Sequence, residues 1–212
     1  LKGRHKALLA ARDRFYKGDI ARAMAKFSEE NSGLFRYEDF SRYTAKVEEA
    51  VFVDYRGYQV YKNPSANQGP AELFALKLLE GYDLKKLGHN STEYIHTSVE
   101  AIKLAFADRE KFLGDMDFIR IPFEGLFSDG YARERRQLID PDRASLELRP
   151  GAPEKFMKAA APIERTVAVN LDGEADHEGD TSYIAAVDQN RNMVTFTPSL
   201  HSGFGTGVVM GE

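Results

Sequence analysis

The sequence predicts an α+β chain in which a mainly helical part precedes a strand-forming one. Three observations carry that expectation. Apolar residues recur at helical spacing through much of residues 1–164, period-two alternation sets in from Arg165 onward, and clusters of Pro, Gly and Asn mark the borders between runs. With 212 residues and 42% apolar side chains, the chain is large enough to bury a core as one large domain or two small ones.

Residues 10–30, preceded by Leu9, set Phe15, Ile20, Met24 and Phe27 at roughly helical spacing around a break at Gly18-Asp19, which predicts two short helices. Asn31-Ser32-Gly33 ends the second, because Gly and Asn accept the left-handed backbone that closes a helix. Residues 37–43 form a further short helix. A hairpin is expected next: residues 47–53 are rich in β-branched side chains, Tyr55-Arg56-Gly57 is turn-like, and residues 58–61 alternate again. Residues 63–70 are a loop by composition, and Pro70 sits where an N1 proline opens a helix running to Leu79, with Gly81 as its stop.

Asn90-Ser91-Thr92-Glu93 offers N-caps for a long amphipathic helix with apolar positions at Tyr94, Ile95, Val99, Ile102, Leu104, Ala105, Phe106 and Phe112. Another helix follows Ser128-Asp129 and ends near Ile139, before Asp140-Pro141, and residues 144–162 are irregular and proline-punctuated. Strand patterns then occupy residues 166–171, 181–187 and 193–197. Between the first two lies an acidic stretch, residues 172–180. Its five carboxylates, two glycines and lack of any large apolar side chain leave it nothing to bury, so an exposed, mobile loop is expected.

Composition narrows the function classes. The 29 Lys and Arg are outnumbered by 33 Asp and Glu, so no domain-wide basic field exists to hold a phosphate backbone, and no nucleic-acid partner is expected. No apolar run approaches the ~20 residues of a membrane-spanning helix. The absence of cysteine removes disulfides, thiolate nucleophiles and Cys-ligated metals together. His5, His89, His96, His177 and His201 contain no i,i+4 pair, so no metal site is expected. His96 is expected to be packed or at the solvent edge, and His177 solvated. Residues 133–136 are expected to form a wet, charged helix face, and Asp108, Glu110, Asp115 and Asp117 to serve as capping and ion-pair groups. The chain starts at Leu1 without an initiator Met, which suggests that it begins inside a longer gene product.

The junction Gly179-Asp180-Thr181-Ser182-Tyr183 joins the acidic loop to a strand that starts with threonine. If the chain is cut before Thr181, that residue holds both a hydroxyl nucleophile and a free α-amino group. Such an amine, with a pKa of about 7.7–8.0, is partly neutral near pH 7 and can accept the hydroxyl proton directly or through one water. Geometry follows from the turn cluster Asp188-Gln189-Asn190-Arg191-Asn192: a hairpin centred near Asn190 pairs residues whose numbers sum to about 380, which sets Thr181 opposite Ser199. A hydroxyl there either holds the Thr181 rotamer or simply caps the strand end. The glycine-rich run His201-Ser202-Gly203-Phe204-Gly205-Thr206-Gly207 lets backbone approach a small ligand, and it lacks the Lys that a P-loop requires.

Several motifs stand in an order that resembles the gamma-glutamyltranspeptidase family: Arg14-Phe15-Tyr16-Lys17-Gly18-Asp19-Ile20-Ala21, Tyr55-Arg56-Gly57-Tyr58, Leu87-Gly88-His89-Asn90-Ser91, Lys103-Leu104-Ala105-Phe106-Ala107-Asp108-Arg109, Leu113-Gly114-Asp115 and Phe204-Gly205-Thr206-Gly207. The resemblance covers nearly the whole chain. It implies an N-terminal nucleophile hydrolase, akin also to cephalosporin-acylase-like enzymes, that cleaves its own precursor between Asp180 and Thr181 and attacks amides through Thr181. On the same basis, residues 1–164 are a helical large-subunit portion, residues 165–180 a strand and pre-cleavage loop, and residues 181–212 the incomplete start of a small catalytic subunit within an αββα sandwich. Ser199 matches a family threonine whose hydroxyl supports the nucleophile. His201 falls where transpeptidases usually place an asparagine against the glutamyl substrate, and an imidazole offers different donors from an amide.

The implied partners are a small amide or gamma-glutamyl substrate and the remaining segments of the same precursor, joined as a heterodimer of large and small subunits. No organic cofactor is implied, and the family suggests a periplasmic or secreted setting. The resemblance places the carboxylate-binding arginine upstream and the oxyanion-hole glycines downstream, so the 212 residues alone are expected to be nearly inactive. A cephalosporin-acylase-like amidohydrolase and a non-catalytic, unprocessed fragment are the alternatives.

Overall fold

The computed structural model describes residues 2–65, 67–158, 181–199 and 207–210. The chain is mixed, mostly helical with few strands, and divides into two compact units: residues 1–46 with 170–212, and residues 47–169. The expected strand at 166–171 and the acidic loop at 172–180 lie outside the described residues.

In the first unit, α1 (Lys2–Lys17) and α2 (Asp19–Glu30) meet at Gly18. A side chain at Gly18 would bring its Cβ to 2.6 Å from the Arg14 carbonyl oxygen, so the turn closes there because the residue has none. The first helix is longer than the short one expected, since nothing before Gly18 interrupts it. Arg14 and Asp19 clasp the joint with an ion pair at 2.9 Å. At the end of α2 it is Ser32, not Gly33, that takes the left-handed backbone, at φ +59°. The Gly33 N–H donates to the Ser28 carbonyl at 2.6 Å and closes the helix. The short α3 (Tyr37–Ser41) returns along the pair, with the Tyr37 hydroxyl donating to the Lys17 carbonyl at 2.9 Å and the Tyr16 and Tyr43 rings stacked at 5.5 Å.

The second unit opens with a hairpin of β1 (Val51–Tyr55) and β2 (Tyr58–Lys62), in register from Val51↔Lys62 to Tyr55↔Tyr58. Its two-residue turn has φ +51° at Arg56 and +87° at Gly57, the pair of left-handed residues that matches strand twist. Residues 47–50, expected as strand, are not part of it. Among the described residues five helices follow: α4 (Gly69–Leu79), α5 (Leu84–Leu87), α6 (Thr92–Phe112), α7 (Phe123–Leu126) and α8 (Asp129–Arg136), then a 3₁₀ turn at Pro153–Phe156. Ser91 and Ser128 cap α6 and α8, accepting from the N–H groups of Tyr94 and Tyr131. The core joins α4 to α6 and α8 through Phe74, Ala75, Ala105, Phe112, Leu126 and Tyr131, with Leu78, Ala101, Leu104 and Ala132 beside them.

Two expectations are overturned here. The apolar positions of α6 do not form one buried face. Ala101, Leu104, Ala105 and Phe112 are buried, whereas Ile95, Val99, Ile102 and Phe106 are exposed. The small side chains Ala101 and Ala105 let α4 approach closely, and that contact decides which side turns inward. Nor are residues 133–136 a wholly wet face: Arg135 is 2% exposed, because its guanidinium is drawn to the buried carboxylate of Asp108 at 3.4 Å.

Candidate active site

The second hairpin, within the first unit, pairs β3 (Ile184–Val187) with β4 (Met193–Phe196) in the register Ile184↔Phe196 to Val187↔Met193. Its turn is built around the Asp188 carboxylate. Oδ1 accepts from the N–H groups of Asn190 and Asn192, and Oδ2 from the Asn192 amide, each at 2.8 Å. Arg191 takes a left-handed φ of +64° to allow this. The Asn192 side-chain and main-chain donors, with that of Asn190, hold the Asp188 carboxyl below the ordinary aspartate range despite a small opposing desolvation.

A turn fixed in this way sets the register of everything beyond it. An isolated antiparallel bridge places Thr181 opposite Ser199, and the Ser182 N–H donates to the Pro198 carbonyl at 3.1 Å. The Thr181 hydroxyl donates to Ser199 Oγ at 3.0 Å. Because each hydroxyl carries one donor and two acceptor sites, the same pair can rotate so that Ser199 donates to the Thr181 oxygen. Both residues are exposed, as are all residues of β3 and β4. Side chains alternate across the ladder. Ile184, Ala186, Val194 and Phe196 share one face, and Thr181, Ala185, Val187, Met193, Thr195 and Ser199 the other. The hydroxyl pair thus sits at the open end of the hairpin, on its more polar face. Asp180 and His201, the other expected site residues, lie outside the described residues.

The helical unit contains polar groups of another kind. A cleft of about 610 Å³ is lined by Phe52, Lys77, Glu80, Phe127, Ser128 and Arg136, among others. Burial would lower the Lys77 ammonium, but Asp129 at 2.6 Å and Glu80 at 2.8 Å outweigh it and hold its pKa above the ordinary value. A lysine so paired stays charged and is no nucleophile. Ser128 Oγ is already engaged, donating to the Gly125 carbonyl at 2.8 Å and accepting from the Tyr131 N–H. The expected ion-pair role of the α6 acids agrees with Asp108 beside Arg135 and Glu110 beside Arg109. Asp115 instead accepts the Asp117 N–H at 2.9 Å, and His96 Nε2 lies 2.7 Å from the Asp140 carbonyl. Sequence reasoning had no signal for the burial of Asp108 and Glu100, since both stand in helix positions where a solvated carboxylate is the rule.

Comparison with known proteins identifies the relatives of the chain as a whole. A family profile described as Gamma-glutamyltranspeptidase matches residues 8–212. The glutathione hydrolase proenzyme of Escherichia coli (strain K12) is 36% identical over 94% of this chain and 32% of its own length. The Acylase ACY 1 proenzyme of Pseudomonas sp. (strain SE83) is 30% identical over 92% of this chain and 31% of its own. Among solved structures, the cephalosporin acylase from Bacillus halodurans superimposes with a TM-score of 0.73 at 30% identity, covering 93% of this chain and 31% of that one. The chain spans about a third of the length of the curated relatives it matches. With a profile match over nearly all its residues, the chain belongs to the gamma-glutamyltranspeptidase family.

Proposed function

We propose that the protein of which this chain is part is an amide hydrolase or acyltransferase that uses Thr181 as an N-terminal nucleophile. The observation that carries this reading is the hydroxyl pair: Thr181 Oγ1 lies 3.0 Å from Ser199 Oγ at the first paired position of an exposed hairpin. In the precursor, Thr181 Oγ attacks the carbonyl carbon of Asp180, and the C–N bond breaks as the amide nitrogen takes up a proton. Asp180 is left as an ester on the threonine, and water then cleaves that ester, yielding a carboxylate at Asp180 and a free α-amine on Thr181.

The mature amine next accepts the hydroxyl proton as Oγ attacks a substrate amide, and returns it to the leaving nitrogen. Water or an acceptor amine resolves the resulting threonyl ester. Ser199 orients the attacking oxygen by donating to its second lone pair. Under this reading residues 1–164 are the helical large-subunit portion, residues 165–180 lead to the cut, and residues 181–212 begin the small subunit. The two products stay together as a heterodimer, and the strands join an αββα sandwich. One oxyanion-hole donor is worth about 10²–10³ in turnover. The 212 residues alone are therefore nearly inactive if those donors lie in the part of the relatives that this chain does not match.

A second reading concerns the acyl group. His201 replaces the asparagine expected against a glutamyl substrate, which favours an amide of the cephalosporin-acylase type over a true gamma-glutamyl donor. The test is made on the complete protein and its Thr181→Ala variant. Intact mass and N-terminal sequencing are expected to find two pieces, the second starting at Thr181, with the variant whole and inactive against both gamma-glutamyl anilides and glutaryl amides. A variant that is still cut there, or that turns over either amide at the unaltered rate, overturns the proposal.

A further inference from the structure

Along α6 two acidic residues are each followed three positions later by a lysine: Glu100 by Lys103 and Asp108 by Lys111. Both pairs grip the main chain of the irregular segment 145–151. The Ser145 N–H donates to Glu100 Oε1 at 3.2 Å while Lys103 Nζ donates to the Ser145 carbonyl. Six residues on, the Gly151 N–H donates to Asp108 Oδ1 at 2.8 Å and Lys111 Nζ to the Gly151 carbonyl, also at 2.8 Å. Each helix pair thus offers one acceptor and one donor to a single residue, as a neighbouring β-strand would. Between the clamps, Arg149 Nη2 donates to Glu100 Oε2 at 3.1 Å, and Arg135 Nη2 donates to the Arg149 carbonyl. The leucines of the segment turn the other way, Leu146 fully exposed and Leu148 60% exposed, so charge and main-chain hydrogen bonds do the holding.

The two ends are built differently. At Ser145 the acid is buried, Glu100 being 1% exposed, but its cations reach water, with the Lys103 and Arg149 side chains 35% and 21% exposed. At Gly151 the clamp is closed. The Asp108 and Arg135 side chains are each 3% exposed, the Tyr131 hydroxyl donates to Asp108 Oδ2 at 2.9 Å, and a side chain at position 151 would overlap the Tyr131 hydroxyl and ring. We propose that residues 145–151 are a releasable strap, held on α6 by its main chain at two points, which lifts from the Ser145 end while Gly151 stays in place as the hinge.

Glu100 faces Lys103 on its own helix and Ser145 and Arg149 of the strap. Asp108 faces Arg135 and Tyr131 on α8 and Gly151, whose carbonyl takes the Lys111 ammonium. Burial alone would raise the Glu100 carboxyl, but the Lys103 and Ser145 hydrogen bonds and the Lys103 and Arg149 charges hold it below its ordinary value. Its grip is therefore complete above the ordinary glutamate range and is lost as the pH falls through that lowered value. Burial raises Asp108 beyond what Arg135, the Gly151 N–H and Tyr131 offset, although each of those partners favours its charged form.

Amide hydrogen exchange on the full-length protein tests the strap. At neutral pH the Ser145 amide is expected to be at least tenfold less protected than that of Gly151. Glu100→Gln is expected to lower Ser145 protection a further tenfold without moving Gly151 or the α6 amides. Lys103→Met, which leaves the buried carboxylate paired with Arg149, is expected to act in the same direction should Glu100→Gln fail to fold. Equal protection at the two residues in the unaltered protein, or loss at both together in either variant, overturns the proposal.

Discussion

Replacing Arg135 by methionine probes what the buried charge of Asp108 costs the fold. The two side chains are 3.4 Å apart and both 3% exposed, so the change removes one partner of a desolvated ion pair while the methionine fills much of the apolar stem volume. Breaking such a pair from one side costs about 3–5 kcal/mol. The stranded carboxyl has an escape, which is to take up a proton. From an ordinary aspartate pKa, holding a carboxyl neutral at pH 7 costs about 4 kcal/mol, and at pH 5 about 1.5 kcal/mol. Those figures are ceilings on the electrostatic part of the loss. Because burial already raises this carboxyl with Arg135 in place, protonation favours the folded form and the penalty shrinks with acid. Arg135→Met is therefore expected to destabilise by about 3–4 kcal/mol at pH 7 and by about 1.5 kcal/mol at pH 5. Urea unfolding followed by circular dichroism at the two pH values measures both. The double variant with Asp108→Asn is expected to lose less at pH 7 than Arg135→Met alone. An equal loss at both pH values, or a double variant worse than the single one, would refute the electrostatic account.

Two further changes bear on the candidate site and the core. Ser199→Ala removes a neutral hydrogen bond worth about 0.5–1.5 kcal/mol, so in the complete enzyme both self-cleavage and amide turnover are expected to slow by about 2- to 13-fold, with Ser199→Thr near the unaltered rate. No change, or a loss as complete as that of Thr181→Ala, counts against the role given to Ser199. Leu104→Ala, at a position 1% exposed, is expected to cost about 2–5 kcal/mol in the urea assay, whereas Ile102→Ala, two residues away and 44% exposed, is expected to stay within about 0.5 kcal/mol. Similar costs at the two positions would mean that the buried face of α6 is misassigned.

The contrast between Leu104 and Ile102 also marks how far the sequence is legible. The existence of α6, its start at Ser91 and its end after Phe112 follow from local chemistry: a serine cap, a long run without Gly or Pro, and apolar spacing. Which side it buries does not, because Ile95, Val99 and Ile102 make the stronger apolar stripe and still face outward. The choice is made by α4, whose backbone can come close only where α6 presents Ala101 and Ala105. The clamps at Ser145 and Gly151 are hidden for the same reason. A Glu or Asp three positions before a Lys reads as a solvated helix pair, and the strap it holds lies 40 or 42 residues further along the chain.

The hairpin near the C-terminus is the opposite case, since everything that fixes it is local. Asp188 and Asn192 set the turn, and the turn sets a register in which paired residue numbers sum to 380 from Val187↔Met193 out to Thr181↔Ser199. A slip of one residue would set Thr181 against Pro198 or Leu200, neither of which carries a hydroxyl. The five-donor-and-acceptor cluster at Asp188 is thus tied to Thr181, about seven residues away, through the period of two alone. A two-stranded hairpin exposed on both faces is marginal by itself. The apolar face of Ile184, Ala186, Val194 and Phe196 therefore calls for a covering layer, as do Val187 and Met193 on the other side, and the proposed αββα sandwich has a layer for each while Thr181 and Ser199 meet at the strand ends. The register that the turn fixes is what allows one hairpin to serve both purposes.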